Sequence, residues 1–224
     1  MTQTRRRADG ARVAARRVRL EPEDRAKQIL DGAISYFAER GFEGQTRELT
    51  ARLGVSQGLL YRYFPTKEAL IDRVYEEMFM GRWRPEWDAL IADRSQDLRA
   101  RLKSFYRDYA ERMLHHPEWV RIYLLSGLAG ASINARFADF VTDHVFRPVI
   151  GELRHAFGRP GIAAEPEAES EMEIMWGLHG AIVYIGIRKW VYHVQTPADP
   201  AGAVTLLVDG LFANAAKLMG GEAR

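Results

Sequence analysis

Cysteine is absent from this 224-residue chain. Disulfide scaffolds, thiolate zinc sites and cysteine nucleophiles are thereby excluded, and stability must come from packing. A reducing compartment fits, and a cytoplasmic location is expected. No apolar run approaches the roughly 20 residues needed to cross a bilayer. The longest nearly apolar stretch, Gly177 to Ile187, is interrupted by His179, so no membrane crossing is expected. The start of the chain lacks the apolar run of a secretory signal, although an acid-poor, Arg-rich head also fits an organellar transit peptide. Net charge is scarce too: 32 Lys and Arg stand against 30 Asp and Glu, leaving +2. What is present is 47% hydrophobic and 28% charged residues, a globular composition that excludes disorder for most of the chain.

The near balance of charge conceals an uneven distribution. Residues 1–67 carry 14 basic and 8 acidic side chains, whereas residues 68–224 carry 18 and 22. The excess sits at the start, where Arg5, Arg6, Arg7, Arg12, Arg16, Arg17 and Arg19 oppose Asp9 alone. A Gly/Ala/Arg-rich head of this kind predicts a flexible arm over residues 1–20 that seeks phosphate or anionic lipid.

Beyond the arm the pattern is helical. Between Glu23 and Arg40 the apolar residues Ala26, Ile29, Leu30, Ala33, Ile34, Phe37 and Ala38 alternate steps of three and one, which makes one face of an amphipathic helix. Pro22 suits its first turn and Gly41 the left-handed residue after its end. Two short segments follow, Thr46 to Leu53 stopped by Gly54 and Gln57 to Phe64 stopped by Pro65, with Thr46 and Ser56 placed to cap their starts. Thr66 can cap a fourth helix with apolar positions Leu70, Ile71, Val74, Tyr75, Met78 and Phe79. After Arg82 the candidate helices are Asp97 to Leu114, Pro117 to Leu128, Ile133 to Phe157, Pro166 to Val194 and Pro200 to Met219, separated by Gly- and Pro-containing turns. The expected fold class is all-α.

Two short helices joined by Leu53-Gly54-Val55-Ser56 match a helix-turn-helix. Leu60 and Phe64, four apart, are expected to pack on Leu49 and Leu53. That leaves Gln57, Gly58, Tyr61, Arg62, Leu59 and Tyr63 facing outward. Such a face offers an amide for base edges, a residue without a side chain for close approach, hydroxyls for phosphates and a cation, as reading the major groove requires.

The stretch Gln45-Thr-Arg-Glu-Leu-Thr-Ala-Arg-Leu-Gly-Val-Ser-Gln-Gly-Leu-Leu-Tyr-Arg-Tyr-Phe-Pro-Thr-Lys-Glu-Ala-Leu70 resembles the DNA-binding domain of the tetracycline-repressor (TetR) family of bacterial transcription regulators. Phe37-Ala-Glu-Arg-Gly-Phe42 is similar to the end of that family's first helix, so residues 22 to 72 match in order and spacing. The resemblance implies an arm over 1–20, a three-helix DNA-binding domain over 21–67, a connecting fourth helix over about 67–82 and a ligand-binding and dimerisation domain over 83–224. It implies a homodimer on a palindromic double-stranded operator, released by a small molecule. Carried over by position, Thr46 resembles a phosphate-binding cap and Arg47 a side chain that reaches a base edge. Gln57, Gly58 and Leu59 open the recognition helix, and Tyr61, Tyr63 and Lys67 fall at phosphate-contacting positions. Leu59 departs from the small polar residue usual there, which points to apolar contact with a thymine methyl or no readout; Thr50 stands where Ala is usual.

Residues 97–194 are rich in large side chains, and helical phase directs Phe105, Tyr109, Tyr123, Phe140, His144, Trp176 and His179 inward as candidate contacts for a small, largely hydrophobic or aromatic effector. The six histidines carry no metal-ligand spacing, so neither metal nor other cofactor is expected. The last two helices resemble the family's dimer-forming pair, which implies a four-helix bundle with a second copy, and they carry Gly177, Gly180, Tyr184, Leu207, Gly210 and Leu211 as candidate interface residues. The acids Glu165, Glu167, Glu169, Glu171 and Glu173 are expected to be a solvated face at a helix start. An enzyme would need a nucleophile elbow, a phosphate-cradling loop or a metal motif, and none is present. A membrane-surface protein using the basic head is the other alternative. Trp83 or Trp87 is expected where the fourth helix meets the ligand domain.

Overall fold

Eleven α-helices joined by short turns make up the described residues, 21–130 and 132–220, of the computed structural model, and none of these residues lies in a strand. The arginine-rich arm lies outside the described residues.

Helix α1 (Pro22–Arg40) starts with Pro22, Glu23 and Asp24, which suit the positive end of the helix dipole, and ends at Gly41, whose φ of 69° few other residues adopt at low cost. The three-and-one stripe is buried from Ile29 to Ala38, and Tyr36 joins it at 3% exposure. Helices α2 (Thr46–Leu53) and α3 (Gln57–Tyr63) are separated by Gly54 in the left-handed conformation, φ 64° and ψ 31°. Ser56 Oγ accepts the Leu59 amide at 3.1 Å and Thr66 Oγ1 accepts the Ala69 amide at 3.0 Å, so both caps form as expected. Thr46 does not cap α2. The N-cap is Gln45, one residue earlier, and the Thr46 hydroxyl lies 3.1 Å from the Tyr61 hydroxyl instead.

Helix α4 (Lys67–Tyr75) continues into a wide π turn, Glu76–Met80. Next comes α5 (Pro85–Ala92), which the candidate helices above omit; Pro85 opens it and Trp87 and Ile91 anchor it in the core. Helices α6 (Leu98–His115) and α7 (Pro117–Leu128) follow. The segment expected as one helix from Ile133 is two, α8 (Ser132–Val141) and α9 (Arg147–Ala156), joined without a loop by a π turn at Thr142–Phe146. Pro148 explains the interruption, because its ring has no N–H to donate and crowds the carbonyl four residues back unless the turn before it widens. Helix α10 (Glu169–Ile187) runs into a third π turn, Arg188–Tyr192, and α11 (Pro200–Met219) closes the chain.

Helices α6, α10 and α11 pack on one another, and α1 lies along α7. By length and composition α11 is apolar enough to cross a membrane. It is a packed helix of this fold, however: Val204, Val208 and Ala215 are fully buried, and Asp209 pairs with Lys103 of α6 at 2.7 Å. Two buried ion pairs tie the same region together. Arg101, 4% exposed, shares Glu152 with Arg94, and Arg154 grips Glu171 through Nε at 2.8 Å and Nη2 at 2.6 Å. The expected solvated acidic face is therefore corrected at Glu171, which is 5% exposed and also accepts the Ala168 amide.

Candidate nucleic-acid interface and interior cavity

The helix-turn-helix is fixed from behind by α1. Gly32 of α1 lies so close to α2 that an added Cβ would stand 2.2 Å from Leu53 Cδ2. Tyr36 of α1 donates its hydroxyl to Glu48 Oε2 at 2.9 Å, which sets the start of α2. Arg52 forms a two-toothed pair with Glu39, both contacts at 2.7 Å. Leu49 and Leu60 are buried at 0% and 1%, with Phe64 beside them, so α3 is held on α2 by its inner face.

On the outer face of α3, Gln57, Gly58, Tyr61 and Arg62 are all exposed, and their spacing puts them on one side of the helix. An added Cβ at Gly58 would meet nothing within 4 Å, so nothing within the chain requires glycine there. Arg47 stands exposed in the first turn of α2, and the Thr46–Tyr61 hydroxyl contact brings that turn against α3. Ion pairing separates the local cations into two groups. Arg52 is neutralised by Glu39, whereas Arg47, Arg62 and Lys67 form no ion pair among the described residues. With Glu48 held by Tyr36, the surface near the two helices carries uncompensated positive charge.

Two of the expected outward residues are placed differently. Leu59 is half-buried, and Tyr63 packs against the core in a groove with Ala26, Lys27, Leu30 and Phe64. Tyr63 falls on the α1 side because it lies two residues from Tyr61, about 200° round the helix.

Further into the molecule, the π turn after α4 and helices α5, α6, α7 and α8 line a cleft of about 320 Å³. The π turn after α4 supplies Met78 and Phe79, α5 and the residues before it supply Trp83 and Trp87, and Arg82, Arg112 and His116 add polar groups to the lining. Both tryptophans expected at this junction are therefore there. The cleft narrows into a crevice with only about 20 Å³ of space, and the two share Tyr109, Met113, Trp119 and Phe137. Tyr109, Tyr123, Trp176 and His179 of the candidate contacts meet at this crevice.

The other three candidates do not line it. Phe105 is solid core at 0% exposure, edge-on to Trp87 and Tyr106. Phe140 stacks on His144, ring centres 4.1 Å apart, and His144 Nδ1 lies 2.9 Å from Asp88 Oδ1. Trp119 and Phe137 were the missed contributors. Both belong to the aromatic-rich stretch, but only the packing of α7 against α8 brings them to one wall.

The crevice is lined mainly by apolar and aromatic side chains, with a few buried polar atoms among them. Burial pushes the His179 pKa down to about 4, so its ring is neutral at physiological pH, and it also pushes the Tyr109 hydroxyl well up. Tyr109 Oη and His179 Nε2 are 3.3 Å apart, while His179 Nδ1 and Trp119 Nε1 are buried with no hydrogen-bond partner among the described residues.

The candidate dimer residues lie on the outer side of α10 and α11, with one exception. Gly177, Gly180 and Gly210 are exposed with open space above them, Tyr184 is 48% exposed and Leu207 half-buried. Leu211 is corrected: at 3% exposure it belongs to the chain's own core, and Leu206, 73% exposed, occupies the outer face.

Comparison with known proteins agrees with this geometry. Residues 29–74 match the family model described as bacterial regulatory proteins, tetR family. The chain is 33% identical over 108 residues to the HTH-type transcriptional regulator RutR of Escherichia coli, covering 48% of this chain and 50% of that protein. It is 30% identical over 111 residues to the HTH-type transcriptional repressor KstR2 of Mycobacterium tuberculosis, covering 48% of this chain and 53% of that one. The match thus spans about half the length of these curated relatives. Among solved structures, a TetR-like transcriptional regulator from Rhodococcus sp. RHA1 superposes with a TM-score of 0.63 at 19% identity, over 90% of this chain and all of that one. At that identity the likeness shows the fold. Helix-turn-helix motif, curated relatives and whole-chain fold agree: residues 29–74 carry the sequence pattern of the tetR family of bacterial regulatory proteins, and the rest of the chain shares the fold of a TetR-like regulator.

Proposed function

We propose that this protein is a sequence-specific DNA-binding transcriptional regulator, a homodimeric repressor that a small apolar or aromatic effector releases from a palindromic operator. The observation that carries the reading is the outer face of α3 with the first turn of α2: Arg47, Gln57, Gly58, Tyr61 and Arg62 are exposed together on a rigid scaffold, and its cations are unpaired. Arg47 and Gln57 are suited to base edges, Thr46, Tyr61, Arg62 and Lys67 to phosphates, and Gly58 to close approach. Leu59 and Tyr63, half-buried, keep at most an edge at the surface.

The division of labour follows the chain: a basic arm over 1–20, a DNA-binding head over 21–67, helix α4 as connector and an effector and dimer domain beyond. Exposed small residues on α10 and α11, with Leu206 and Tyr184, favour a second copy of the chain as the partner of that face. In such a dimer the two recognition helices enter successive major grooves about 34 to 36 Å apart. Met78 and Phe79 place the π turn after α4 in the wall of the cleft. A ligand that repacks this wall moves the helix that follows α3, and so trades operator affinity against its own binding. A second path runs through α1, which packs along α7; at its end a Cβ added to Gly41 would stand 3.5 Å from Leu125 Cβ.

The test is a footprint on both strands of the DNA beside the protein's own coding region. A protected, two-fold symmetric segment is expected, together with a dimer by analytical ultracentrifugation. Protection that is absent or uniform along the fragment sinks the reading.

A further inference from the structure

The cleft described above holds a cation that no carboxylate neutralises. Arg82 follows the π turn at the end of α4. Among the described residues its Nη1 is buried without a hydrogen-bond partner, and its Nη2 reaches only Met78 Sδ, at 3.6 Å. Glu118 and Glu77 are the acids that act on it through space, and neither forms an ion pair with it. Burial holds the Arg82 pKa below the ordinary guanidinium value.

The other charged groups of the lining are in a different state. Arg84 and Arg112 both pair with Asp108, at 3.0 and 3.2 Å, Arg84 pairs also with Glu86 at 3.5 Å, and Trp87 Nε1 donates to Asp108 at 2.8 Å, so these two cations are matched by two acids. Asp108 is therefore saturated. His116 is disfavoured as a cation, first by burial and then by Arg82 beside it. One positive charge in the cleft is left without a counter-charge. A partly buried guanidinium with free N–H groups is costly alone, and a planar oxyanion that accepts two of them is its geometric complement. Behind it the walls are flat and apolar, formed by Phe79, Trp83, Trp87, Trp119 and Phe137.

We propose that the effector is an amphipathic organic monoanion, a carboxylate on a planar apolar body, with the carboxylate held by Arg82 and the body seated among the tryptophans. A monoanion matches the single uncompensated charge, and the cleft of about 320 Å³ sets the scale of the body. This inference rests on reading the cleft as the effector site.

Isothermal calorimetry on the full-length protein tests it with matched probes: naphthoate, indole acetate and biphenyl carboxylate, each against its neutral primary amide. At least one acid is expected to bind about tenfold or more tightly than its amide, which corresponds to about 1.4 kcal/mol. In Arg82→Met that preference should vanish while amide affinity is retained. If Arg82→Met does not fold, Arg82→Gln serves, with circular dichroism as the check. Equal binding of acids and amides, no binding by any probe, or an acid preference that survives removal of Arg82 each overturns the proposal. Release of operator DNA is measured separately. Acids that bind without releasing DNA count against ligand-released repression and leave the anion site standing, whereas amides that release DNA do the reverse.

Discussion

Replacing Gly58 with alanine should push stability and DNA affinity in opposite directions. An added Cβ at this position meets no heavy atom within 4 Å, and the residue sits in the first turn of α3 with ordinary helical backbone. Within the chain, then, alanine has nothing to collide with and loses less backbone entropy on folding, a gain of up to about 0.5 kcal/mol near a helix end. Against DNA the same methyl group is an intruder. If the α3 face lies against base edges, one extra carbon at a close-packed contact costs about 1 to 3 kcal/mol, or roughly 5- to 150-fold in affinity. Urea unfolding gives the first number and fluorescence anisotropy on operator DNA at fixed salt the second. Unchanged operator affinity would refute the placement of this face in the groove. A fall in stability would refute the claim that only an external partner needs the glycine.

Other consequences can be checked in the same preparations. Arg47→Ala should weaken cognate binding by about 1 to 3 kcal/mol if it reads a base, and an equal loss on random DNA would make it a phosphate contact. Deleting residues 1–18 should flatten the dependence of log affinity on log salt by about 0.9 per lost phosphate contact; an unchanged slope would exclude a DNA-binding arm. Glu171 titrates below the ordinary glutamate range, chiefly because Arg154 donates two hydrogen bonds to it. A depressed carboxylate stabilises the fold above its unfolded value and ceases to as the pH falls, so acid unfolding should steepen below about pH 4. Glu171→Gln should lose about 3 kcal/mol at neutral pH, with Arg154 left buried and unpaired, and should flatten that acid limb. A wild-type acid limb in the variant would show that the pair does not control it.

Elements whose signal is local were legible before the fold was seen. The stripe from Ile29 to Ala38, the Ser56 and Thr66 caps and the left-handed Gly54 each depend on residues within a turn or two of one another. Thr46 failed as a cap because the chain enters α2 one residue early, and its hydroxyl then finds Tyr61 on the neighbouring helix. Helix α5 is as short as α2 and α3 but lacks the helix-turn-helix pattern that marks them and has no side-chain cap, and Trp87 and Ile91 anchor it in a core made by other helices. At the candidate site the same division holds. The exposed face of α3 follows from helical phase alone. Membership of the cavity does not, because phase says that Phe105 points inward but not that Trp87 and Tyr106 fill the space around it. Arg82 was invisible as a ligand group because its distinction is that it forms no ion pair among the described residues, a property of tertiary packing.

The central claim is that α3 reads DNA sequence as one half of a symmetric pair. Selection from a random duplex library with the full-length protein tests it most directly. The account predicts enrichment of a palindromic site whose half-sites lie about 10 base pairs, one helical turn, apart, bound by two chains. Recovery of unenriched sequence, or an enriched site bound by a single chain without symmetry, would contradict it.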